Sequence, residues 1–105
     1  MQQLTPKQGI ESITYQQDHL NILFAQNWYQ EDITELSKLV FLPVEPVIIK
    51  EQNFGADRED IRFNWNENYF VLNFDFYSQS CWIEGQDSAA TECLNLLYTA
   101  INKRS

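Results

Sequence analysis

Along much of this chain apolar and polar residues alternate, and the alternation restarts after recognisable turns. Residues 1–9 are polar, contain Pro6 and Gly9, and read as a loosely ordered lead-in. Beyond them Ile13, Tyr15, Leu20, Ile22 and Phe24 fall on one face of a hairpin turning at Gln17-Asp18. That turn pairs Tyr15 with Leu20 and Ile13 with Ile22. A helix follows, started by Asn27 or by the run Gln30 to Asp32, with acids where the helix dipole favours them. Ile33, Leu36, Leu39 and Val40 recur at helical spacing as its buried stripe. Pro43 and Pro46 stop it. Val47 to Lys50 reads as a short strand, and Phe54-Gly55 leads into a polar loop, ADRED, at 56–60.

The next section carries the sharpest pattern. Ile61, Phe63 and Trp65 alternate with polar residues, and Phe70, Leu72, Phe74 and Phe76 resume the alternation. A turn at Glu67-Asn68 sets Trp65 opposite Phe70, Phe63 opposite Leu72 and Ile61 opposite Phe74. A second turn at Ser78-Gln79 sets Phe76 opposite Cys81 and Phe74 opposite Ile83. Both registers keep one face apolar, and a one-residue slip in either would break it. Asp87 is a good N-cap for a final helix with the stripe Ala90, Cys93, Leu94, Leu97, Tyr98 and Ile101, closed by Lys103 and Arg104. The expected fold is a single α+β domain over residues 1–105. Its antiparallel sheet has five to six strands with two helices packed on one face, in the order ββαββββα.

Composition narrows the partners more than it defines them. Lys and Arg total only seven against a net charge of -8, which argues against binding through phosphate neutralisation and hence against nucleic acid. The first twelve residues lack the apolar centre of a signal peptide, and no window is apolar enough to span a membrane. Cys81 and Cys93 read as two reduced thiols of a cytoplasmic protein, a single bridge between them being the alternative. Acids cluster at Glu31, Asp32 and Glu35 and again at Asp57, Glu59 and Asp60; solvated surface is the ordinary reading, with attraction of a basic partner as the other.

Catalytic and metal motifs are missing from the sequence. His19 is the only histidine, no nucleophile motif accompanies it, and Cys81 alternates onto the apolar face where a thiol tends to be inert. No CxxC, HExxH or EF-hand spacing occurs, and three glycines leave no phosphate-cradling loop. No cofactor, metal ligand or catalytic residue is therefore assigned. An enzyme would need a pocket joining His19, Asp75 and Glu84.

The polar face of the central strands is the candidate binding surface. Val71, Asn73, Asp75 and Tyr77 share it; the registers above put Trp82 opposite Asp75, Glu84 opposite Asn73, and Arg62 across from Asn73 on the other side. The candidate binding residues are thus Trp82, Tyr77, Asp75, Glu84, Asn73 and Arg62. Rings among polar groups are typical of interface centres. A partner protein or a second copy of the chain is the expected occupant. The alternatives are local cross-strand support, a structural homo-oligomer, or a small-molecule pocket between sheet and helices lined by Trp65, Phe63 and Tyr98.

Over GADREDIRFNWNENYFVLNFDFYSQSCWIEG the chain resembles a family of small gammaproteobacterial proteins of unknown function. The features that carry the resemblance are Gly-Ala-Asp-Arg at 55–58, the aromatic strand ending at Trp65, and the hairpin from Tyr77-Ser78 to Trp82-Ile83-Glu84. It implies a bacterial, cytoplasmic, single-domain protein, and no activity or site residue.

Overall fold

A computed structural model describes residues 9–103, which form a six-stranded antiparallel sheet with helices on one face. All but the last residue of the lead-in, and Arg104 at the other end, lie outside the described residues. The first hairpin comprises β1 (Ile10–Tyr15) and β2 (His19–Phe24). Tyr15 faces Leu20 and Ile13 faces Ile22, as the alternation predicts. A 3-10 turn (Gln30–Asp32) leads into α1 (Ile33–Phe41), and a second one (Leu42–Val44) carries Pro43. Then come β3 (Ile48–Phe54), β4 (Arg58–Trp65), β5 (Asn68–Asp75) and β6 (Ser80–Gly85), followed by α2 (Ser88–Glu92) and α3 (Leu94–Lys103). In space the strands run β1-β2-β6-β5-β4-β3, so the first hairpin joins the same sheet through β2 and β6.

Several expectations need correction. The final helix is two, giving ββαββββαα. At Cys93 the backbone leaves helical values (φ -96°, ψ 1°), and its N–H bonds back to the Ala90 carbonyl three residues earlier. Strand β3 runs four residues beyond Lys50, and β4 already begins at Arg58, so most of ADRED is strand. Period-two reading misses the second half of β3 because an edge strand exposed along its whole length has no apolar face to display. Both turns of the meander sit elsewhere. The β4–β5 turn is Asn66-Glu67, both at positive φ (52° and 66°), the pattern of a two-residue type I′ hairpin. The β5–β6 connection is the four-residue Phe76–Gln79 rather than Ser78-Gln79 alone. Each change moves the register by two, which keeps every side chain on its predicted face but gives it a different partner. Phe63 faces Phe70, Ile61 faces Leu72, Phe74 faces Cys81 and Leu72 faces Ile83.

The core lies between this apolar face and the helices. Leu20, Ile22, Ile61, Phe63, Phe70, Leu72, Phe74 and Ile83 meet Ile33, Leu36, Val40, Leu94 and Leu97, all but fully buried. Phe63 takes the edge of Phe41 at 4.8 Å and stacks on Phe70 at 5.7 Å; Trp28 stands edge-on to Phe74 at 5.5 Å. Asp87 caps α2 by accepting from the Ala90 N–H at 2.9 Å. Gly85 permits the close approach of that helix, since a Cβ there would lie 2.5 Å from the Thr91 nitrogen. Each edge strand carries a bulge at a charged residue: Glu11 is the extra residue in β1, and Lys50 in β3.

Candidate functional site

Because successive side chains of a strand point to opposite faces, the reverse of the sheet is fixed once its core face is known. On it lie His19 and Asn21 from β2, Trp82 and Glu84 from β6, Asn73 and Asp75 from β5, and Arg58, Asp60 and Arg62 from β4. The ladder orders them in rows. One row runs His19, Glu84, Val71, Arg62; the next runs Asn21, Trp82, Asn73, Asp60; the third runs Ser80, Asp75, Arg58.

These rows frame an open depression of about 410 Å³. Asp18, His19 and Glu84 form one end, Ser78, Ser80 and Asp75 the other, and Asn21 and Trp82 lie between. His19, Asp75 and Glu84 therefore share one depression. In the ladder Asp75 lies four residues along from Val71, the partner of Glu84, which is about 13 Å at strand rise. The same interval separates Ser80 from Glu84, the residue that faces His19. The side chains close part of that interval, since the Glu84 carboxylate reaches the amide of Asn73, two residues from Asp75.

Individual interactions tune this surface. His19 Nδ1 donates to the Asp18 carboxylate at 2.8 Å, and that bond holds the exposed Asp18 carboxyl below its ordinary value. Asn73 donates to Glu84 at 3.4 Å and is itself buried beside Trp82. Arg58 lays its guanidinium over the Trp82 ring, 5.7 Å from the centroid, with Nε 4.0 Å from the Asp75 carboxylate.

Of the six predicted binding residues, Trp82, Asp75 and Glu84 line the depression and Asn73 is buried between Trp82 and Glu84's side chain. The other two lie elsewhere. Arg62 faces Val71, pairs with Glu51 at 3.3 Å and covers Tyr69; the guanidinium at Trp82 belongs to Arg58. Tyr77 falls in the turn after β5, 78% exposed, with its ring against Phe76 at 6.3 Å. Both differences follow from the turn positions. Asn21, His19 and Asp18 enter the site because β2 pairs with β6, a contact between distant segments that alternation cannot show. Arg58 was legible in principle, as it shares the phase of Asp60 and Arg62.

Chemistry elsewhere is muted. Burial pushes the Cys81 thiol well above its ordinary value, which leaves it unreactive, and both cysteines are free. Among the described residues no three His, Cys, Asp or Glu side chains converge as metal ligands. Phe63 and Trp65, expected to line an interior pocket, pack on Phe41 and Phe70. No helix among the described residues is long and apolar enough to cross a membrane.

No curated protein and no solved structure matches the chain. A family model does, over residues 10–102, which takes in all six strands and nearly all of the last helix; the chain belongs to the family described as "Protein of unknown function (DUF3630)".

Proposed function

We propose that the protein acts by non-covalent association, receiving a partner protein on the open face of its sheet. The observation that carries this reading is the long, shallow depression with Trp82 at its middle and carboxylates at both ends. An indole supplies apolar contact area at low entropic cost, and a polar rim suits a surface that must stay soluble when free. Small-molecule sites normally enclose most of their ligand, so an open trench of this length favours a protein segment over a metabolite. The acids Asp18, Asp75 and Glu84 make nucleic acid a poor partner and favour a polar or basic one. Two unpaired thiols suit a reducing compartment, and we assign the protein to the bacterial cytoplasm.

The test compares wild type with Trp82→Ser as immobilised baits, after circular dichroism has shown that both are folded. Light scattering on the two proteins reports self-association. The reading expects a partner, or a second copy, to be held by wild type and lost by the variant. Equal retention by two folded proteins would sink it.

A further inference from the structure

Glu59 is out of place on the core face. The alternation of β4 points it the same way as Ile61 and Phe63, and it is only 6% exposed. Its direct cross-strand neighbours are Phe54 on β3 and Phe74 on β5. No ion pair or hydrogen bond joins its side chain to any described residue; Arg58, next to it, lies over Trp82 on the opposite face. A carboxylate held largely out of water between two rings, with no partner among the described residues, works against folding.

Its surroundings suggest what it is for. Phe76 donates its N–H to the Asp57 carbonyl at 2.9 Å, so the Asp57–Phe76 pair sits in the ladder one step beyond the row of Glu59 and Phe74. Tyr29 leans on Phe76 at 6.1 Å, and Gln30 donates to the Gly55 carbonyl at 2.8 Å, tying the Tyr29 segment to the end of β3. Phe54, the neighbour of Glu59 on β3, is 69% exposed, and Tyr29, which leans on Phe76, is 61% exposed, in a chain whose other phenylalanines are mostly buried.

We propose that this corner, Glu59 with Asp57 beside it between the rings of Phe54, Tyr29 and Phe76, receives an arginine side chain of a partner protein. A guanidinium offers a fork of N–H donors to a carboxylate and a flat cation to aromatic faces, so one group meets both features of the site. Arginine and tyrosine are also the residues that interface centres favour. A protein supplies the arginine because the exposed rings extend past one side chain, through Phe76 to Tyr77, and because a free amino acid would bring its own carboxylate to an acidic corner. The alternation of β4 puts Glu59 on the opposite face from Trp82, although Phe54 and Glu59 also border a depression with Arg58, Asp60 and Asn73.

Titration of the 15N-labelled protein with N-acetyl-arginine N-methylamide, followed by amide shifts, tests this. The expected result is saturable shifts grouped at Tyr29, Phe54, Glu59 and Phe76. Glu59→Gln, which keeps the side chain's shape, weakens the response at least tenfold, and Phe54→Ala weakens it less. Glu92→Gln, which removes the same charge from an exposed position on α2, leaves it unchanged. The neutral isostere N-acetyl-citrulline N-methylamide gives no saturable response. Equal binding by Glu59→Gln, an equal response to the citrulline probe, or no saturable response in wild type each overturns the proposal.

Discussion

On β5, Phe70, Leu72 and Phe74 are at most 1% exposed, while Val71 and Asp75, one residue out of phase with them, stay half-open to solvent. The same backbone therefore serves two surfaces with different physics. Toward the helices, closeness of packing sets the energy, since buried rings gain from every contact and lose heavily when a cavity opens. Toward solvent, side chains are spaced by the ladder alone, and pairs such as Arg58 with Trp82 add a fraction of a kcal/mol to a little more than one. A face free of packing demands can hold a tryptophan, an arginine and several acids for recognition. Tolerance, more than any motif, marks where function can reside in this fold.

That contrast can be broken by mutation. Phe74→Ala on the core face should cost about 3–5 kcal/mol in urea denaturation, the range for an aromatic cavity. A loss under about 1 kcal/mol there would mean that the face is loosely packed. Gly85→Ala forces a methyl against the α2 backbone and should cost about 1–3 kcal/mol. Asp87→Ala removes the cap of the same helix, at a cost of about 1 kcal/mol. Trp82→Ser on the reverse face should lower stability by no more than about 1 kcal/mol, with an unchanged far-ultraviolet spectrum. A cost as large as that of Phe74→Ala would erase the distinction between the faces.

Glu59 sharpens the comparison with the opposite sign. Desolvation, then the charge of Asp60, raises its carboxyl above the ordinary value of 4.5. The folded chain then holds that proton more tightly than the unfolded one. The group's penalty is present at neutral pH and fades as pH falls through the raised value toward 4.5. Glu59→Gln should raise the Tm at pH 7, and the advantage over wild type should shrink as melts are repeated toward pH 4.5. A gain independent of pH would trace to packing instead.

Much of this was written into the order of residues. The meander, both helical stripes, the first hairpin's register and the Asp87 cap follow from period and capping chemistry, because each depends on neighbours close in sequence. The turn positions escaped because Glu67 at positive φ is a poor match to turn preferences, while Asn68 looked better suited and is in fact strand. A two-residue error is also invisible to a rule that tests only which face a side chain occupies. The site was legible as a face and not as a set of partners. Trp82, Asp75 and Glu84 were found by alternation, whereas Asp18, His19 and Asn21 arrive through a pairing that spans about sixty residues of chain. Glu59 was readable only as one acid of a polar run, since its burial depends on where β4 begins.

The two bulges bear on how the molecule behaves in a crowd. An open sheet ends in two rims of unpaired backbone groups, and β3 presents one of them with Ile48, Ile49 and Phe54 uncovered. Such a rim invites another chain to add itself as a seventh strand and the next to follow. Here the spacing fails partway along each rim, at Glu11 on one side and Lys50 on the other, and a charge stands where the spacing fails. An incoming straight strand would have to give up register and bury a charge at the same point. The bulges and their charges thus work against fibre growth along both rims of the sheet.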